Sequence, residues 1–427
     1  MIKIYDSGRI AAGEILRRNE EDLSEAAGIV RTIVEDVKNR GDAALYDYGE
    51  KFDKVRPKRL DVTEEEIEEA VASVDGKFLE TLETAKENIL DFHRRQKRES
   101  YLVNEKEGVI LGQKITPIEK AGVYVPGGKA SYPSSLLMNA LPAKVAGVKE
   151  IVMVSPCGAD GKIPGVILAA ARVAGVTRIF KTGGAQAIAA LAYGTESVPK
   201  VDKITGPGNI YVTAAKRMVS GFVAIDMIAG PSEILVLADG TADERYVAAD
   251  MLSQAEHDEM AAAILVTDSR DLAQKVAEEL ERQLKGLKRA AIARASIERN
   301  GKIIIAADMK EAAKISNEIA PEHIEVMLDD PFALLSEIKN AGSIFLGKNV
   351  PEALGDYIAG TNHILPTNGA TRFSSPLGVD DFMKKSSFIY YTKGALSEVA
   401  DKVVDFAEKE GLTAHGRSVA IRFEEER

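Results

Sequence analysis

From Pro117 onward, short runs of β-branched and other apolar residues alternate with Ala-rich stretches, and this alternation narrows the chain to one fold class. The runs read AGVYVPGG, LLMNALPAKVAG, EIVMVSP, VILAAARVAG, RIFKTGG and AQAIAALAYG, then DKITGPGN, IYVTAAKRMVSG and FVAIDMIAGPSEILVLAD. After a helical interval they resume as AAAILVTD, DLAQKVAEELERQL, GKIIIAAD, MKEAAKISNEIA, HIEVML and AGSIFLG. Strands that are apolar along their whole length must be covered on both faces, and parallel sheets flanked by helices do this. There are enough strands for two such sheets. The chain is therefore expected to be an α/β protein with two Rossmann-like parallel-sheet domains of similar build, a helical N-terminal part and a C-terminal arm.

With 427 residues, the chain exceeds one ordinary core. Boundaries fall near Pro117 and Ile234, which makes 117–234 an inserted α/β domain within a discontinuous first domain, 26–116 and 235–375. Residues 1–25 are expected to form an N-terminal helical arm. Helical spacing runs through SEAAGIVRTIVEDVKNRG and TEEEIEEAVASVDGKFLETLETAKENILDFHRR, and these helices are expected to pack on the sheet of the first domain. RRQKRESYLVNEKEG reads as a connection or short hairpin. From about Ser343 the order loosens into a long loop-rich stretch with few charges, which points to function. Residues 376–427 are too few for a core of their own, so they must pack on the body or on a second subunit.

Composition removes several classes of function. Hydrophobic residues at 45% and charged residues at 28% are globular values, and a net charge of −11 weighs against nucleic acid or an anionic membrane as the main partner. No run approaches the roughly 18 apolar residues of a membrane span. The start, MIKIYDSGRI, carries charges where a signal peptide needs apolar residues. The single cysteine, Cys157, makes neither an internal disulfide nor a thiolate cage, and its turn-like setting reads as structural. A cytoplasmic location is expected.

The five histidines mark where chemistry could sit. His93, in FHRRQKR, reads as a solvated helix residue. Gln254 and His257, three residues apart, share a helix face, where they could hold a metal or substrate or simply close a helix end. HExxH is absent, which disfavours a metalloprotease. Glu322 and His323 follow Pro321 at a strand entrance and could supply a base and its modulator, or two bases. Neighbours on a strand point to opposite faces, so this pair converges only if it sits ahead of the ladder. Asp356 and His363 lie in the loop-rich stretch, and Glu410 and His415 near the C-terminus. Gln254, His257, Asp356 and His415 together would be an oxygen-and-nitrogen set suited to zinc, although spacing alone does not bring them together. VPGG, TGG and TGPGN sit between strands and helices, where backbone N–H groups hold anions or glycines serve positive-φ turns. None is the G-x-G-x-x-G fingerprint or a Walker loop.

Taken in order, GVYVPGG, KTGGAQAIAALAYGT, KITGPGNIYV, IDMIAGPSEILVLAD, AADMLSQAEHD, APEHIEV, GDYIAGTNHILPT and EGLTAH resemble the histidinol dehydrogenase family, from about residue 20 to the C-terminus. The resemblance implies a two-step oxidation of L-histidinol through an enzyme-held L-histidinaldehyde to L-histidine, the last step of histidine biosynthesis. It implies two NAD consumed as co-substrate and a homodimer with one zinc per subunit. By the same resemblance the zinc ligands are Gln254, His257, Asp356 and His415. His323 is the general base, Glu322 activates water, and Tyr124, Gln186 and Asn209 contact NAD. Substrate contacts fall to Ser232, Gln254, His257, His323, Asp356, Glu410 and His415, with Glu410 and His415 reaching the partner's site on the C-terminal arm. Cys157 lies outside every motif, so the aldehyde is expected to react as its hydrate rather than through a thiolate. Two other readings compete: a zinc hydrolase or lyase acting on a small amine without a dinucleotide, and a two-domain small-molecule binding protein. The binding protein would leave Glu322 and His323 idle.

Overall fold

The computed structural model describes residues 2–9, 23–127 and 131–424. Most of the arm expected over 1–25 lies outside the described residues, and Lys3–Asp6 within it is a strand rather than a helix. No helix among the described residues is long and apolar enough to cross a membrane.

One parallel sheet comprises β4 (Lys120–Tyr124), β5 (Glu150–Ser155), β6 (Arg178–Lys181), β7 (Lys203–Thr205) and β8 (Ala224–Ile225), in the order β6-β5-β4-β7-β8. From β4 the chain moves outward to β5 and β6, then crosses back to set β7 on the other side of β4. That reversal opens a crevice at the carboxyl ends of β4 and β7, the usual ligand position of open α/β sheets. The expectation that the N-terminal helices cover the other sheet needs correction. Ala26, Val30, Ile33, Val34 and Val37, on the helix Leu23–Arg40, share a core with Val152, Phe180 and Ile188 of this sheet and its helices. Their spacing shows which stripe is buried but carries no information about which sheet covers it.

A second parallel sheet comprises β1 (Lys3–Asp6), β9 (Glu233–Ala238), β10 (Ala262–Thr267), β11 (Lys302–Ile305), β12 (His323–Met327) and β13 (Ser343–Leu346), in the order β1-β11-β10-β9-β12-β13. Glu233–Ala238 and His323–Met327 are buried at every position, and apolar cores lie on both faces. β9 and β12 are neighbours, with His323 opposite Ile234. The loop-rich stretch beyond β13 folds a short helix, Glu352–Tyr357, and two 3-10 turns.

Residues 97–117 and 383–427 form a separate compact unit. In it β2 (Tyr101–Val103), β3 (Val109–Pro117) and β14 (Met383–Tyr391) make an antiparallel sheet in the order β14-β3-β2. The arm expected over 376–427 thus gains a sheet by recruiting the 97–117 hairpin, a non-local pairing that spacing does not reveal. Its helices are Lys393–Ser397, Ala400–Lys409 and Thr413–Ala420.

Candidate active site

His323 opens β12, and Glu322 precedes the ladder, so the two side chains escape the strand alternation and converge. Both meet the backbone of Glu233 at the start of β9. Glu233 N donates to Glu322 Oε2 at 2.8 Å, and His323 Nδ1 lies 3.1 Å from Glu233 O. A carbonyl only accepts, so Nδ1 carries the proton and Nε2 keeps its lone pair. That Nε2 is buried and has no hydrogen-bond partner; Glu352 Oε1 is 3.8 Å away. Burial holds the His323 pKa down at about 4, against the opposing pull of Asp356, so the imidazole is neutral at pH 7. Burial pushes Glu322 well above the usual carboxylate range; the Glu233 N–H opposes this, and Glu233, Glu352 and Asp356 add to it.

Pro351 starts the helix Glu352–Tyr357, which sets Glu352 and Asp356 one turn apart on one face. Each of His323, Glu352 and Asp356 offers a donor atom, and the three atoms lie within 4.8 Å of one another. Gln254, wholly buried near the end of the helix Glu244–Ala255, faces the same carboxylate; with its amide nitrogen towards Glu352 it donates to Oε2 at 2.8 Å and also to Oε1. Ser253 Oγ donates to Glu352 Oε2 at 3.4 Å. Burial raises Glu352 well above its ordinary value, with Asp356 and Asp250 reinforcing it. Burial lowers the pKa of His363 against the pull of Asp356, and His257, exposed just past that helix, adds slightly to the lowering of both His323 and His363. His363 Nδ1 lies 2.9 Å from Asp356 O, and its Nε2 faces Ser135 Oγ at 3.2 Å. Ser232 is partly exposed just ahead of β9.

This donor set suits a divalent cation. The charges acting most strongly on Glu322 and Glu352 are carboxylates, and an imidazole nitrogen stands unpartnered among them. Buried anions of this kind are stable when they coordinate a metal or are otherwise neutralised.

At the crevice of the five-stranded sheet, Tyr124 ends β4 and its hydroxyl accepts from Gly184 N at 3.1 Å. Gln186, in the first turn of the helix Gly184–Tyr193, is buried with Oε1 unpartnered. Asn209 is exposed and caps the helix Ile210–Val219, accepting from Tyr211 N and Val212 N. All three residues lie at the carboxyl edge of that sheet.

A family model described as histidinol dehydrogenase matches residues 16–423. The chain belongs to the histidinol dehydrogenase family. It is 56% identical to the histidinol dehydrogenase of Syntrophotalea carbinolica over 417 residues, covering 97% of this chain and 96% of that protein. It is 58% identical to that of Listeria monocytogenes serotype 4b over 397 residues, 93% of each chain. The crystal structure of histidinol dehydrogenase from Elizabethkingia anophelis superposes with a TM-score of 0.95 at 39% identity, covering 99% of this chain and 98% of that one. Against the residues expected from sequence, this histidinol dehydrogenase fold gathers Glu322, His323, Gln254, His257 and Asp356 around one nest. Glu410 closes the helix Ala400–Lys409 and His415 lies in the helix Thr413–Ala420; both are exposed, on the C-terminal unit. Glu352 was not singled out from sequence, yet its carboxylate faces Gln254 and Ser253 and lies 3.8 Å from His323 Nε2. The signal was available: a Pro start followed by Glu352 and Asp356 at helical spacing. His93 is not a solvated residue: it is wholly buried, with Nδ1 2.8 Å from Ile89 O.

Proposed function

We propose that the protein oxidises L-histidinol through L-histidinaldehyde to L-histidine with two NAD, in the cytoplasm, as the last step of histidine biosynthesis. The observation that carries this reading is the convergence of Glu322 and His323 on Glu233 beside Gln254, Glu352 and Asp356, in a chain of this family. In the proposal Gln254, His257, Asp356 and His415 hold zinc, and Tyr124, Gln186 and Asn209 contact NAD, which makes 117–234 the cofactor domain. Bound zinc would supply a Lewis-acid anchor for the substrate's nitrogens.

His323 acts through Nε2. Its Nδ1 proton is committed to Glu233 O, so the free nitrogen is aimed into the nest as a neutral base. It takes the alcohol proton as the carbinol carbon gives its hydride to NAD. Glu322, in the ionised form that the Glu233 N–H favours, takes a proton from the water that adds to the aldehyde. As the water adds, His323 returns its proton to the carbonyl oxygen, which completes the hydrate, and it takes that proton back as the hydrate gives the second hydride to NAD. Ser232, Glu410 and the metal ligands orient the substrate. Cys157 supports this non-covalent route: it follows β5 on the other sheet, and burial pushes its thiol up, away from the thiolate that covalent oxidation needs.

A homodimer completes the proposal, with Glu410 and His415 serving the partner's site. In the C-terminal unit Val103, Leu111 and Ile389 stand in register across the antiparallel sheet, on one face, and are 40%, 43% and 73% exposed, an apolar row of the kind that marks an interface. The decisive experiment is the NADH yield per L-histidinol, with and without chelation. Two NADH, lost on chelation and restored by zinc, is the expected result. One NADH removes Glu322 from its water-activating role. None from zinc-loaded protein overturns the oxidation reading.

A further inference from the structure

Lys216 and Asp226 form the most enclosed lysine–carboxylate pair among the described residues, with side chains 5% and 2% exposed. Lys216 stands on the helix Ile210–Val219, and its side chain runs back towards the helix start, the direction that helical side chains take. Its Nζ meets Asp226 Oδ1 and donates to Gly206 O at 3.0 Å. Asp226 follows β8; its Oδ2 accepts from Gly206 N at 2.9 Å and its Oδ1 from Met227 N at 2.7 Å. The ion pair therefore grips both main-chain polar groups of a single residue.

Gly206 is a residue that needs to be held. Its φ is +120°, and a Cβ there would stand 2.1 Å from Tyr124 O, so the loop presses directly on the backbone that carries Tyr124. Three residues later Asn209 caps the helix. A buried lysine–carboxylate pair contributes little more stability than apolar side chains of the same volume. Stability alone thus gives little reason for the pair, whereas holding Gly206 gives a specific one.

We propose that Lys216 and Asp226 are positioning residues for NAD. They hold the 206–209 loop against Tyr124, and through Asp226 they tie it to the connection that runs on to Ser232. The proposal rests on the reading of Tyr124, Gln186 and Asn209 as NAD contacts. Neither residue touches the cofactor or the reacting atoms.

The test measures NAD and L-histidinol binding separately, by calorimetry on the zinc-loaded full-length protein. The double variant Lys216→Met/Asp226→Leu replaces the pair with apolar groups and leaves no buried charge unpaired. It is expected to weaken NAD binding about tenfold, the scale of one well-placed hydrogen-bonding contact, while L-histidinol binding stays within about twofold. KM for NAD should rise while kcat at saturating NAD holds, and Lys216→Arg should restore most of the affinity. Should the double variant not fold, Lys216→Met/Asp226→Asn keeps the acceptor for Gly206 N and is read in the same way. Asn209→Ala separates the two levels. If it weakens NAD binding and the double variant does not, the positioning role is overturned and the NAD site stands. If neither changes NAD binding, the NAD reading falls and takes the proposal with it. Equal loss of NAD and histidinol binding would mean a general structural role and would also overturn it.

Discussion

Glu325→Gln is expected to make the protein more stable than the unaltered chain at alkaline pH, and increasingly so as pH rises. Glu325 is wholly buried in β12. Its Oε1 accepts from Glu352 N at 2.7 Å; its Oε2 has no donor, and the side chain bonds to the carboxyl of Asp250. Two carboxyls in contact away from water do not both ionise. Burial, reinforced by Asp250, holds Glu325 up at about 10, and burial holds Asp250 at about 6. At neutral pH the folded pair therefore keeps one proton, which also satisfies the orphaned oxygen. Unfolded carboxyls, with pKa values near 4, keep none. Because the folded state binds the extra proton, stability falls as pH rises, by about 1.4 kcal/mol per pH unit. Between pH 6 and pH 8 this amounts to about 2.7 kcal/mol. Glutamine keeps the oxygen for Glu352 N and presents an N–H to Asp250, so it preserves the contacts and removes the proton linkage. Urea unfolding of chelator-treated protein at pH 6, 7 and 8 should show the variant's advantage growing by roughly that slope. An advantage that is flat or shrinking with pH would refute the shared proton.

Three further outcomes are expected. His93 is buried with Nε2 unpartnered, and burial lowers its pKa, so the unfolded chain takes up a proton below about pH 6.5 that the folded chain resists. Stability from this residue is thus lost as pH falls from there, and His93→Phe should flatten the drop in thermal midpoint between pH 7 and 5; a steeper drop would contradict the assignment. Zinc at a hundredfold excess over its dissociation constant should raise stability by about 2.7 kcal/mol over the chelated protein, and an unchanged thermal midpoint would argue against the ligand set. Mixed dimers of a His415→Ala chain with a His323→Ala chain should recover part of the activity that each parent lacks, whereas no recovery would place His415 in its own chain's site.

Much of this was legible in the sequence because the strands are apolar along their whole length, and EIVMVS and EILVLA admit little besides a buried parallel sheet. Glu322 and His323 were visible as a pair. Their convergence was not, since it depends on where the β12 ladder begins and on the backbone of Glu233, ninety residues away in the chain. Glu352 was hidden in a stretch read as loop, although Pro351 and the four-residue spacing to Asp356 spell a short helix. The stripe Ala26, Val30, Ile33 and Val37 declared a buried helix face without naming its sheet. The partner of β14 was not readable, because pairing across most of the chain leaves no local trace.

That last pairing sets an order for events on the ribosome. β3 needs β14, and Met383 is the partner of Pro117 at the near end of the ladder. Both parallel sheets are complete in the emerging chain before β14 exists. At ~5–20 residues per second the β2–β3 hairpin waits roughly 15–50 s for its third strand. Leu111 of β3, 43% exposed even in the finished fold, stands on an unpaired edge for that interval. The C-terminal unit is therefore the last to fold, and the one most in need of protection during synthesis.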